Sequence, residues 1–103
     1  MATGILGQSN PAAATNTTVY TVPATKTATF NINVVNTGSS PLTVRIAISA
    51  TGTPTAGEYI EYDTIIPPSS VLERGGFVAQ AAKNVVVYAS TATSNVSVYG
   101  YEA

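Results

Sequence analysis

A two-residue period constrains this chain more than any other feature. In "KTATFNINVV", Ala28, Phe30, Ile32 and Val34 alternate with Thr27, Thr29, Asn31 and Asn33. In "PLTVRIAIS", Leu42, Val44, Ile46 and Ile48 alternate with Thr43, Arg45, Ala47 and Ser49. Successive side chains of a strand point to opposite faces, so each stretch predicts a strand with one buried and one wet face. "NTGSSP" lies between them, and its Gly38 and Pro41 suit a short hairpin connection. Helical spacing never exceeds a single turn, for which "AQAAKN" is the one candidate.

Further strands follow the same logic. "TTVYTV" stops at Pro23, which lacks the N–H that a ladder needs. "EYIEYDTII" stops at Pro67-Pro68. "SVLE" and "FVAQ" flank Arg74-Gly75-Gly76, which predicts a tight turn, and "NVVVYAST" and "NVSVYGYE" flank "ATS". "ATGTPTAG", residues 50–57, is the longest internal irregular stretch. About eight short strands with regular turn signals predict an all-β fold, an antiparallel β-sandwich of jelly-roll or immunoglobulin-like type. The expected core is Phe30, Ile32, Val34, Val44, Ile46, Ile48, Ile60, Val86, Tyr88, Val96 and Val98. Residues 1–16, rich in Gly, Ala, Ser and Asn, are expected as an extended N-terminal arm, and residues 17–103 as the single sandwich domain. No internal repeat is visible.

Composition narrows the function classes. Charged residues make up 9% of the 103, with a net charge of −1, against about 25% in typical globular domains. Such a surface is a weak barrier to association and suits a protein that lives in an assembly. There is no Cys and no His, so disulfides and the usual ligands of zinc and soft metals are missing. Serine and threonine are abundant, but no His can activate them as nucleophiles. Four basic residues do not make the basic footprint of a nucleic-acid binder. No apolar run approaches the roughly 20 residues of a membrane span, and the start shows no secretory signal. The sequons Asn16-Thr17-Thr18 and Asn95-Val96-Ser97 are read as chance. Gly4-x-x-Gly7 and Gly75-Gly76 lack the strand-to-helix setting of a phosphate loop. No cofactor is expected.

Two constellations remain. Glu61 and Asp63 stand two apart on one strand, hence roughly 7 Å apart on one face. With Glu58 as the only further acid nearby, they read as a solvated strand face rather than a calcium or glycosidase site. Tyr59, Tyr62, Tyr99 and Tyr101 group in two strands, as sheet residues or as stacking platforms for carbohydrate.

The successive stretches "LGQSNPAA", "VYTVPA", "VVNTGSSPLTVRIAIS", "EYIEYDTIIPP" and "VVVYAST…VSVYGYE" resemble short virion structural proteins of tailed bacteriophages, including phages of cyanobacteria and other aquatic bacteria. The resemblance covers nearly the whole chain. Tyr20-Thr21-Val22-Pro23-Ala24 and Tyr59-Ile60-x-Tyr62-Asp63 carry most of it. It implies a non-enzymatic part of the particle, made in the host cytoplasm, and transfers no catalytic or binding residue.

The leading expectation is therefore a capsid decoration or cement protein. It would be a small homo-oligomer on the capsid surface, with the major capsid protein, or tail proteins, as partner and no nucleic acid or membrane. The alternatives are a tail, baseplate or fibre component, or a host-glycan-binding module. The arm has three fates: disordered, folded back on its own domain, or crossed to a neighbour with Ile5 and Leu6 as anchors. Ile5, Leu6, Pro11 and Tyr20 are the candidate partner-binding residues.

Overall fold

The computed structural model describes residues 2–103. It contains β1 (Thr3–Ser9), β2 (Thr17–Thr21), β3 (Ala28–Asn36), β4 (Leu42–Ser49), β5 (Tyr59–Ile66), β6 (Val71–Ala79), β7 (Asn84–Ala89) and β8 (Ser94–Glu102). A single 3₁₀ turn, Ala56–Glu58, precedes β5. The strands form two four-stranded sheets, β1-β8-β3-β6 and β2-β7-β4-β5. All pairings are antiparallel. The chain thus pairs first with last, second with seventh, third with sixth and fourth with fifth. That is a long hairpin rolled up on itself, the jelly-roll form of a β-sandwich. Among the described residues no helix is long and apolar enough to cross a membrane.

The core lies between the inner faces. Phe30, Ile32, Val34, Val96 and Val98 come from one sheet, and Leu42, Val44, Ile46, Val85 and Val87 from the other; all are essentially buried. Each such side chain contributes roughly 1.5–3 kcal/mol through lost contact with water. Ile48 and Ile60 are half-buried at its margin. In β7 the expected face is inverted. Val85, Val87 and Ala89 join the core cluster between the sheets, while Val86 and Tyr88 stand on the opposite face, Val86 buried there as expected and Tyr88 half-buried. A run of three valines carries no alternation to read, and a one-residue slip exchanges the faces.

The stretch 1–16 is not an arm outside the domain; Met1 lies outside the described residues. Thr3–Ser9 is strand β1, paired with β8 from Thr3↔Tyr101 to Ser9↔Val96. Asn10 Nδ2 donates to the carbonyls of Ala92 (3.0 Å) and Ser94 (2.5 Å), and Ala14 N–H to that of Ala89 (2.8 Å). The segment folds back on its own domain and covers the edge of β8 that β3 leaves open. Its inward positions include Gly7 and Ser9, and Leu6 reaches the core from a register shift between Ile5 and Gly7, so the strand shows no apolar alternation. A Cβ on Gly7 would meet the Val19 carbonyl oxygen at 2.3 Å and Tyr20 Cβ at 3.2 Å. Tyr20, from the opposite sheet, fills the space that Gly7 leaves. Its ring meets Phe30 edge-on at 6.3 Å, and its hydroxyl donates to Glu102 at 2.5 Å.

"SVLE" and "FVAQ" are not two strands around a turn but one strand, β6, running past a register shift opposite Phe30 and Ile32. Gly76 adopts φ 81°, and its N–H donates to Asn31 Oδ1 on the neighbouring strand at 3.2 Å. The glycines therefore form a bulge that keeps the ladder going. The eight strands expected and the eight observed agree in number only because one strand is missed and another is split.

Loops at one end are held by Asn36, which is fully buried. Its Nδ2 donates to the Ser40 (2.8 Å) and Ile66 (3.0 Å) carbonyls, and its Oδ1 accepts from Gly38 N–H (2.9 Å) and Thr93 Oγ1 (3.1 Å). The chain ends meet at the other end. Glu102 N–H donates to the Ala2 carbonyl at 2.9 Å, and Thr27 and Ala103 exchange two backbone bonds of 2.9 Å.

Candidate functional site

Strand β5 decides where its charged and aromatic side chains go. Its ladder with β4 is interrupted twice, between Val44 and Ile46 and between Ile46 and Ala47. Asp63 sits in the left-handed region at φ 53°, which Asp tolerates better than most residues. Bulges re-aim side chains. Here they part Glu61 from Asp63, so the two acids do not share a face. Glu61 accepts from Arg74 Nε (2.6 Å) on β6 and from Thr64 Oγ1 (2.7 Å), joining the edges of the two sheets. Burial pushes the Glu61 carboxyl up, but these donors outweigh it and hold it below the usual range. Among the described residues no group of acids is placed to hold a metal ion.

Asp63 turns to the outer face of β2-β7-β4-β5. It accepts from Arg45 Nε at 2.6 Å and Nη2 at 3.3 Å. The hydrogen bond from Arg45 holds its carboxyl below the usual range, and the same bond raises the guanidinium pKa. The guanidinium carbon lies 4.3 Å from the centre of the Tyr62 ring and 4.9 Å from that of Tyr88, within cation–π distance of both. Tyr59 meets Tyr62 edge-on at 5.0 Å. Tyr62 remains 58% exposed. The result is a preset cluster of three tyrosines around a neutralised Arg–Asp pair.

The outer face of β1-β8-β3-β6 is different. Val78, Thr29, Tyr101 and Thr3 form one row across it, and Asn31, Tyr99 and Ile5 the next. Ile5, Val78, Tyr101 and, further along, Val71 are all exposed. Glu73 is the one charged side chain in these outward rows among the described residues. The four tyrosines grouped in the sequence therefore belong to opposite sides of the sandwich. The sequence reading missed Arg45 and Tyr88 as partners of Tyr62. The outward phase of Arg45 was legible; the inverted phase of β7 hid Tyr88. A hollow of about 220 Å³ is lined by Gly38, Ser39, Ser40, Thr91 and Thr93. It has no charged or aromatic wall and lies apart from both surfaces.

Of the four candidate partner-binding residues, Ile5 alone is open. Pro11 and Tyr20 are buried in the chain's own domain, and Leu6 packs half-buried against the core. Compared with family models, curated proteins and solved structures, the chain matches none.

Proposed function

We propose that this protein is a non-enzymatic structural component of a tailed-phage particle, a decoration protein that binds the assembled capsid. The observation that carries this reading is the outer face of β1-β8-β3-β6, with Ile5, Val71, Val78 and Tyr101 exposed and Glu73 as its one charged side chain among the described residues. Few charges need to be desolvated when such a face is covered, and its exposed apolar side chains gain by it. A protein that binds the finished shell and not its free parts shifts the equilibrium toward the shell. With β1 engaged in its own sheet, the bridging role passes from an arm to this face, and self-association into a small homo-oligomer would use the same chemistry.

The experiment places charge on the face without touching the core. Val78→Glu combined with Tyr101→Glu should keep the unfolding midpoint and lose occupancy on purified particles. Occupancy equal to wild type would refute the role of this face. Counting copies per particle separates shell from tail: hundreds fit the capsid surface, and a few dozen or fewer fit a tail, baseplate or fibre position.

A further inference from the structure

The Arg45 cluster lies on the other side of the sandwich, and the assembly role does not use it. We propose that it is a binding site for a neutral saccharide. Bidentate pairing with Asp63 occupies Arg45 Nε and one Nη2 hydrogen. A guanidinium has five N–H donors, so three stay free. The Asp63 oxygens keep lone pairs. The site therefore offers donors and acceptors side by side, which is what hydroxyl groups, themselves both donor and acceptor, require. Beside them stands the Tyr62 ring, braced by Tyr59 and still 58% exposed with the Arg45 guanidinium over it. Such a ring offers a flat apolar platform for the C–H face of a pyranose.

Charge argues against an anion. Asp63 already neutralises Arg45, and the other acid of the strand, Glu61, is turned away to Arg74. Geometry argues that the site is preset. Asp63 reaches Arg45 from a left-handed bulge, a conformation that costs free energy and persists only where surroundings hold it. Tyr62 and Tyr88 both hold the guanidinium within cation–π distance. A preset site loses less entropy on binding.

The test is an amide chemical-shift titration of the intact chain with methyl glycosides of glucose, galactose, mannose and N-acetylglucosamine, and separately with sulfate. At least one glycoside should give saturable shifts confined to Arg45, residues 59–63 and Tyr88, whereas sulfate should give none. Tyr62→Ala, at an exposed position, should weaken the response about tenfold or more while the fold is kept. Asp63→Asn tolerates the same backbone, removes the neutralising charge, and should exchange the glycoside response for a sulfate response. The proposal is overturned if no glycoside shifts these residues, if the shifts survive Tyr62→Ala, or if sulfate alone binds the wild-type chain.

Discussion

Replacing Gly7 with alanine sets two effects of known size against each other. Removing a glycine from a strand stiffens the unfolded chain and should stabilise the protein by roughly 0.4–1 kcal/mol. The new methyl carbon, however, would stand 2.3 Å from the carbonyl oxygen of Val19, where an unstrained contact needs more than about 3 Å. Backbone cannot swing aside as a flexible side chain can, so β1 must shift away from β2 by close to an ångström. Overpacking of this kind costs about 1–3 kcal/mol. The steric term wins, leaving a net loss of about 1–2 kcal/mol. For a domain of this size that lowers the thermal midpoint by roughly 5–15 °C. Gly57→Ala is the control. A Cβ there meets nothing within 4 Å, so only the entropic term acts and the midpoint should hold or rise. Urea unfolding of both variants, with amide exchange read across residues 3–9, is the assay. If Gly7→Ala is as stable as Gly57→Ala and its first strand as protected, the close seating of β1 against β2 is wrong.

Asn36→Ala should cost roughly 2–4 kcal/mol, because the carbonyls of Ser40 and Ile66 lose a buried donor and Gly38 N–H its acceptor. Urea unfolding would show a lower midpoint with an unchanged slope, and a loss under about 0.5 kcal/mol would contradict this network. The pH profile of the thermal midpoint should fall at both ends. Glu58 is held down to about 2 by the Thr55 N–H, Ser49 Oγ and Ala50 N–H, and Glu61 and Asp63 are also lowered. Depressed carboxyls contribute stability above their unfolded value, 4.5 for glutamate, and lose it as pH falls toward the folded value. Tyr20 has the opposite sign. Burial first, then the bond to Glu102, raises its phenol, so its contribution holds below 10.0 and fades as pH rises beyond. A midpoint indifferent to acid down to about pH 2 would contradict the carboxylate contacts.

The all-β class, the long alternating strands β3, β4 and β8, and most of the core were legible because their inward and outward residues differ in polarity. Three features were not. Strand β1 presents Gly7 inward and Ile5 outward, the reverse of the usual signal, since Tyr20 supplies the missing bulk from the other sheet. Strand β7 has an apolar residue at each of Val85, Val86 and Val87, so its phase was undetermined. Bulges at Gly76 and Asp63 change register without changing composition. The last of these hid the cluster most: period-two counting puts Glu61 and Asp63 together, and one extra residue sends them to different partners.

The meeting of the chain's two ends beside Thr27 has a consequence for how the protein comes into being. Strand β1 cannot be paired until β8 has left the ribosome, so the outermost turn of the roll closes by joining the two most widely separated of its eight strands. Folding should therefore start at the β4–β5 hairpin, work outward, and finish slowly. Linking the termini and opening the chain within residues 51–54 would reverse that order. The most distant pairing would become a local hairpin, and the same native roll would assemble from its rim instead of its centre.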